Sequence, residues 1–320
     1  MKFKFSLLFL LLATMVVLAL RNPKQETPKS AVLSKAELGK LLFFEKALSL
    51  DSTVSCASCH IPEFAFSDTT ALSDGVKGKL GLRNAPGIMN LHANGPMFYD
   101  GRAKDLVDQV HFPIQDPNEM NLAMIEVIKR LNGHPKYLSI FSFLYHAEAD
   151  ARNIAESIAA YELTLQTSNT PFDAYMSGDE SAVSESVKRG RELFLSDRAK
   201  CFDCHFGPDF TGDEFKNIGL YDGLAWADMG RYNTSKDTND IGKFKVPGLR
   251  NVGVTGPYMH NGKFKTLEQV IEYYSNPFQT VKRPINMDSS LVKPINFSSE
   301  EKLDLLNFLK SLTDKQFLNR

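Results

Sequence analysis

All four cysteines of this 320-residue chain fall in two pentads, Cys56-Ala57-Ser58-Cys59-His60 and Cys201-Phe202-Asp203-Cys204-His205. Two thiols three positions apart on a helical turn can add to both vinyl groups of one haem, and the histidine that follows then lies under the iron as proximal ligand. Four cysteines in an exported chain would otherwise suggest two disulfides, and a lone Cys-x-x-Cys-His could be half of a zinc site. Two pentads that both end in histidine and use every cysteine predict two covalently bound haem c groups instead. Function then turns on the sixth position of each iron: a six-coordinate haem transfers electrons, an open one binds peroxide or oxygen. Beyond His60 and His205, the histidines that could fill it are His92, His111, His134, His146 and His260.

Each pentad needs an element to present it. Lys35 to Leu48 carries apolar residues at helical spacing (Leu38, Leu41, Leu42, Phe43) ahead of the first, and Val183 to Leu195 does the same ahead of the second. Leu38-Gly39-Lys40-Leu41-Leu42-Phe43 resembles Arg189-Gly190-Arg191-Glu192-Leu193-Phe194, with 13 residues from Phe43 to Cys56 and 7 from Phe194 to Cys201. A duplicated haem-binding unit is the simplest account, with one haem domain over 34–175 and another over 176–320. The competing account is chance recurrence of a short Gly-x-x-Leu-Phe pattern. Further helices are expected at roughly 103–111, 119–131, 150–166, 266–274 and 298–312, the last opened by the capping pattern Ser298-Ser299-Glu300-Glu301. Alternation of the β type is scarce, and 207–256 is a Gly-rich loop region. The fold class is mostly α: two cytochrome-c-like haem domains related by internal duplication, with long loops and little β.

A hydrophobic share of 43% and a charged share of 23% are those of a globular chain. With 37 basic and 38 acidic side chains the net charge is −1, so there is no electrostatic case for a nucleic-acid partner. Lys2 and Lys4 precede an apolar run from Phe5 to Leu20, shorter than the roughly 20 residues of a bilayer span. Residues 1–20 therefore read as a signal peptide or, since no clean Ala-x-Ala site follows, an uncleaved N-terminal membrane anchor. Residues 21–33, polar with Pro23 and Pro28, read as a linker. Either alternative exports the functional part, placing it in the periplasm.

Several motifs in fixed order, over about residues 35–312, give the chain a likeness to a known family. Arg83-Asn84-Ala85-Pro86, Phe98-Tyr99-Asp100-Gly101-Arg102, the stretch Pro113 to Met120, Val246-Pro247-Gly248-Leu249-Arg250-Asn251-Val252 and Pro257-Tyr258-Met259-His260-Asn261-Gly262 resemble those of the bacterial di-haem cytochrome c peroxidase and MauG family. The resemblance implies a peroxide site at the first haem, an electron-relay haem at the second, and a calcium ion between the domains. Glu119 corresponds to the family's distal glutamate, an acid–base group on bound peroxide, while Gln109 and Pro113 fall where the family lines the distal pocket. A carboxyl beside an apolar haem face has its pKa raised by desolvation and can shuttle a proton. Without the motif, Glu119 reads as a surface residue capping the helix after Asp116-Pro117-Asn118. Asn84 and the carbonyls of Thr255 and Pro257 match the calcium ligands, and oxygen donors suit Ca²⁺.

The chain departs from the family at three places. Many members carry a distal histidine between the first pentad and the Arg-Asn pair; here none occurs from Ile61 to Leu91, so the first iron is expected to be open or water-ligated. The peroxidases supply a methionine fourteen residues after the histidine of Pro-Tyr-x-His, and that position here is Tyr274, as in MauG-like members. A phenolate stabilises ferric iron and lowers the potential relative to a thioether; the alternative leaves Tyr274 as packing and Met259 or Met287 as ligand. Tyr99 stands where the family usually has a tryptophan between the haems, as an electron relay or as packing. Trp226, the only tryptophan, lies in a loop whose register the sequence does not define. The resemblance thus implies a peroxidase of the cytochrome-c peroxidase type, reducing hydrogen peroxide with electrons from a small periplasmic donor such as cytochrome c. The alternative is a MauG-like enzyme that oxidises side chains of a partner protein through high-valent haem iron. Family members dimerise, which makes a homodimer an expectation too.

Overall fold

The computed structural model describes residues 34–92 and 94–318. The expected export segment 1–20 and linker 21–33 lie outside the described residues. Among the described residues no helix is long and apolar enough to cross a membrane.

The order of elements is α1 (Lys35–Phe43), α2 (Cys56–Cys59), β1 (Asn94–Met97), β2 (Ala103–Asp105), α3 (Leu106–Gln109), α4 (His111–Gln115), α5 (Met124–Asn132), α6 (Pro135–Tyr145), α7 (Ala151–Glu162), α8 (Pro171–Met176), α9 (Glu185–Leu195), β3 (Phe215–Lys216), α10 (Tyr232–Ser235), β4 (Phe244–Lys245), α11 (Leu267–Ser275) and α12 (Ser299–Ser311). The strands form two small antiparallel ribbons, β1 with β2 and β3 with β4. The chain is mostly helical with long loops and little sheet, as expected.

The apolar side chains collect in two large cores. One draws its buried residues from Leu38 to Leu165, the other from Phe172 to Leu312. Each is organised by one crossing of two helices at a glycine. A β-carbon on Gly39 of α1 would lie 1.8 Å from the Ser157 carbonyl oxygen and 2.9 Å from Tyr161 Cβ of α7. One on Gly190 of α9 would lie 2.0 Å from the Asp304 carbonyl oxygen and 2.9 Å from Phe308 Cβ of α12. Four residues on from each glycine, Phe43 meets Tyr161 (5.3 Å between ring centres) and Phe194 meets Phe308 (5.1 Å). Only a residue without a side chain lets two helix backbones approach this closely.

The two cores share a polar tie at Asn251. Its side-chain nitrogen donates to Thr167 Oγ1 (2.7 Å) and Met89 Sδ (3.3 Å), its Oδ1 accepts from the Asp314 amide (2.9 Å), and its own amide donates to the Leu312 carbonyl (3.0 Å).

Several expected boundaries move for local reasons. α12 starts as expected, with Ser298 and Glu301 forming a capping box. The helix expected over 119–131 starts at Met124, because Asp116 instead closes a turn that takes the amides of Glu119 (3.1 Å) and Asn121 (2.9 Å). The helix expected over 103–111 opens as strand β2 and then breaks between α3 and α4. Pro113 has no N–H to give the Gln109 carbonyl, so the ladder is interrupted there.

Candidate active site

The first pentad forms the short helix α2, and its histidine follows at the C-cap. Two backbone carbonyls, of Phe66 and Pro86, lie 3.1 Å from His60 Nδ1. The second histidine is held alike, with the Phe210 carbonyl 2.9 Å from His205 Nδ1. Carbonyl acceptors put the proton on Nδ1 and leave Nε2 as a lone-pair donor, the usual arrangement for a metal-binding histidine. Burial pushes both imidazoles below their ordinary pKa, towards the neutral form. All four cysteines are free thiols. Free thiols in a Cys-x-x-Cys turn beside a tethered imidazole fit a covalently attached haem at each place.

At His205 the room for such a group is evident. A cleft of about 360 Å³ has walls that include His205, Cys201, Leu267, Ile271, Leu305 and Tyr274. Tyr273 and Tyr274 have different duties. Tyr273 is buried and donates its hydroxyl to the Ile218 carbonyl (2.6 Å), whereas Tyr274 turns to the cleft and makes no hydrogen bond among the described residues. Burial, reinforced by the neighbouring thiols, raises the Tyr274 phenol far above its ordinary pKa. Met259 also lines this cleft; Met287 packs against Gly219 instead, outside the cleft wall.

Glu119 sits on the loop between α4 and α5, partly buried. Its carbonyl accepts from the Val76 amide (2.8 Å), and Gly75 presses against the same loop so closely that a β-carbon would lie 2.0 Å from the Asn118 carbonyl oxygen. The next residue is tied too: the Met120 amide donates to the Pro113 carbonyl (3.1 Å), and the Met120 carbonyl accepts from the Leu50 amide (2.9 Å). Glu119 thus caps no helix. Its carboxyl is near enough for its charge to act on both Cys56 and Cys59. Burial pushes it up to about 6, with Asp116 adding to the shift and Arg102 opposing it. Gln109 and Pro113 lie on the helices that lead into this loop.

Tyr99 belongs to the turn between β1 and β2 and lines the same cleft as His205, where burial raises its phenol well above the usual range. Asn84, Thr255 and Pro257 line it as well. The Asn84 amide nitrogen donates to the carbonyls of Thr70 (3.1 Å) and Ala71 (3.3 Å), so its Oδ1 is left for another partner, as an oxygen ligand of a cation would be.

Three features around the site are not read from the sequence. Arg83 grips Asp228 with Nε (2.7 Å) and a terminal nitrogen (2.9 Å) and reaches Asp100 with the other (2.7 Å). His260 stacks on Phe244 with 3.8 Å between ring centres, and burial pushes it down to about 4. Glu162, at the end of α7, is a buried carboxyl whose Oε2 has no hydrogen-bond partner, and burial pushes it up to about 8. The Arg83-Asn84 and Tyr-Asp-Gly-Arg motifs signal the first of these, but a pairing across 145 residues has no local signature.

Residues 33–181 match the profile of the di-haem cytochrome c peroxidase family. Methylamine utilization protein MauG of Methylorubrum extorquens is 37% identical over 292 residues, covering 89% of this chain and 80% of that protein. Cytochrome c551 peroxidase of Nitrosomonas europaea is 34% identical over 296 residues, covering 92% and 83%. The crystal structure of a MauG-like protein associated with microbial copper homeostasis superposes with a TM-score of 0.79 at 30% identity, over 88% of this chain and 92% of that one.

The chain therefore belongs to the di-haem cytochrome c peroxidase family. Membership implies two haem c groups, an oxidoreductase of the peroxidase type, and peroxide as substrate with a cytochrome or other protein as partner.

Proposed function

We propose that the protein reduces hydrogen peroxide to water in the periplasm, with electrons from a small donor protein such as a cytochrome c. When bound, haem supplies the redox-active iron for this chemistry. Cys56, Cys59 and His60 would hold the peroxide-side haem; Cys201, Cys204 and His205 would hold the electron-relay haem, with Tyr274, which lines the same cleft, as a further residue able to hold it. In this reading 34–175 and 176–320 are duplicated haem domains, and the matched crossings at Gly39 and Gly190 support the duplication.

The observation that carries the proposal is Glu119. A partly buried carboxyl with a pKa of about 6, on a loop whose backbone is tied on both sides, can change protonation near neutral pH. It takes a proton from one peroxide oxygen and returns it to the other as that oxygen leaves. Gln109 and Pro113 wall the pocket in which this happens. Tyr99, in the wall of the His205 cleft, would be the side chain that relays electrons between the two haem sites. Asn84 with the Thr255 and Pro257 carbonyls would hold one Ca²⁺.

The second reading, a MauG-like oxidation of side chains in a partner protein, draws on one feature: Tyr274 faces the second cleft, and it stands where MauG-like members carry tyrosine. One experiment separates them. The expected result is a high-spin ferric signal from one haem at rest, with rapid peroxide-dependent oxidation of reduced cytochrome c. Two low-spin haems and no peroxide consumption would sink the peroxidase reading. Oxidation of a partner protein without consumption of cytochrome would select the second.

A further inference from the structure

Trp226 closes a tight loop. Asp222 Oδ1 accepts from the amides of Leu224 (2.8 Å) and Trp226 (2.9 Å), and the Asp222 amide donates to the Trp226 carbonyl (3.1 Å). The pinned loop holds Leu224 in solvent at 84% exposure, and exposed Ile285 lies against Gly223 of the same loop. Ile285 is joined to the loop's base through its amide on the Tyr221 carbonyl (2.8 Å). A single exposed leucine needs no explanation. Here, however, the apolar tip sits in front of a packed cluster that reaches the second cleft.

Trp226 packs against the small core of Leu220, Tyr273 and Val281, onto which Tyr274 also packs. The rings of Tyr273 and Tyr274 are 5.7 Å apart, and Tyr274 lines the cleft of His205. Packed apolar and aromatic side chains therefore lead from the loop to the cleft of the second pentad. Three cations stand around the tip: Lys263 Nζ lies 5.7 Å from the Trp226 ring centre, and Lys282 and Arg283 are exposed just before Ile285, while the one acid of the loop, Asp222, is engaged by the loop's own amides.

We propose that the Asp222–Trp226 loop and Ile285 are the docking surface for the protein electron donor. The geometry fits a small c-type cytochrome whose contact face is apolar and ringed by acidic side chains, with Trp226, which packs on the cluster that holds Tyr273, as the point of electron entry. This rests on the peroxidase reading above. Each encounter passes one electron from the reduced cytochrome to the oxidised second haem, with no bond formed or broken. Two encounters and two protons convert one hydrogen peroxide into two waters. Complementary charge guides the encounter and the apolar centre holds it, the usual division of labour at such interfaces.

The test uses the full-length holoprotein with two probes, an acidic and a basic c-type cytochrome, and ascorbate with a mediator as small reductant. Titration calorimetry is expected to detect the acidic cytochrome, with binding weakened by salt. Leu224→Asp should raise its dissociation constant about tenfold or more. It should also lower the ratio of cytochrome-driven to ascorbate-driven peroxide reduction. Trp226→Phe should lower kcat with the acidic cytochrome while its dissociation constant stays within about twofold. A Leu224→Asp protein that binds the acidic cytochrome as the parent does, or a preference for the basic one, overturns the proposal. So does a Leu224→Asp protein that loses only self-association on sedimentation, because the face then belongs to a second copy of the chain. If the parent reduces no peroxide with any reductant, the peroxidase reading fails, and the calorimetric titration still decides the surface.

Discussion

Gly39 meets Ser157 backbone to backbone, and Gly190 meets Asp304 in the same way on the other side of the molecule. Each contact is the point where the helix leading to a pentad rests on the helix that closes its core. A methyl group has no space at either place. Gly39→Ala is expected to lower the stability of the holoprotein by about 1–3 kcal/mol as α1 is pushed off α7. Gly190→Ala should do the same through α9 and α12. Denaturant titration followed by circular dichroism reads both, and a Gly39→Ala midpoint equal to the parent's would refute the tight crossing.

Glu119 sets a pH dependence. With its carboxyl near 6, the proton-accepting carboxylate is lost as pH falls through that value. The expected kcat/KM for peroxide therefore rises with pH through about 6 and levels off above. Glu119→Gln should remove that limb and lower kcat/KM by about 10²–10⁴-fold. A variant that keeps the limb would assign it to another group.

Glu162 ties stability to pH. Its carboxyl titrates near 8 in the folded chain against 4.5 for a free side chain. Below 4.5 both states hold the proton and there is no effect. Between 4.5 and 8 the folded state binds the extra proton, so stability falls as pH rises, and above 8 the loss is complete. The difference between parent and Glu162→Gln should therefore change by on the order of 4 kcal/mol across that window. Chemical denaturation at pH 5 and pH 8 measures it; parallel curves would mean that water or a polar partner satisfies the carboxyl.

Tyr274 is open to a spectroscopic test. If its phenol is an axial ligand, Tyr274→Phe should convert one low-spin haem signal to high-spin in the resting electron paramagnetic resonance spectrum. Retention of that signal would return Met259 to consideration, since it lines the same cleft. The variant keeps the aromatic volume, so the readout reports ligation rather than packing.

What can be read in the sequence is what is local. The spacing of apolar residues around Leu38 announces α1, Ser298 with Glu301 announces α12, and the pentads identify their own chemistry. The Glu119 loop is different, because its shape is imposed by Gly75, Val76 and Leu50, which approach from earlier in the chain. Apolar periodicity around Met120 and Leu122 continues the pattern of α5 and invites a helix from 119, yet the Asp116 turn wins. Arg83 and Asp228 are likewise joined only by the fold. The family motifs point to the right stretches but not to the contacts they make.

Asn251 has a consequence for how the molecule comes apart. Through one side chain and one amide it bonds to Met89, Thr167, Leu312 and Asp314, so segments from both cores converge on a single buried amide. Loss of either core strips that amide of partners it cannot replace from water, and the penalty is carried to the other core. The two halves are thereby made thermodynamic accomplices: they should melt in one calorimetric transition, and Asn251→Ala should split it in two.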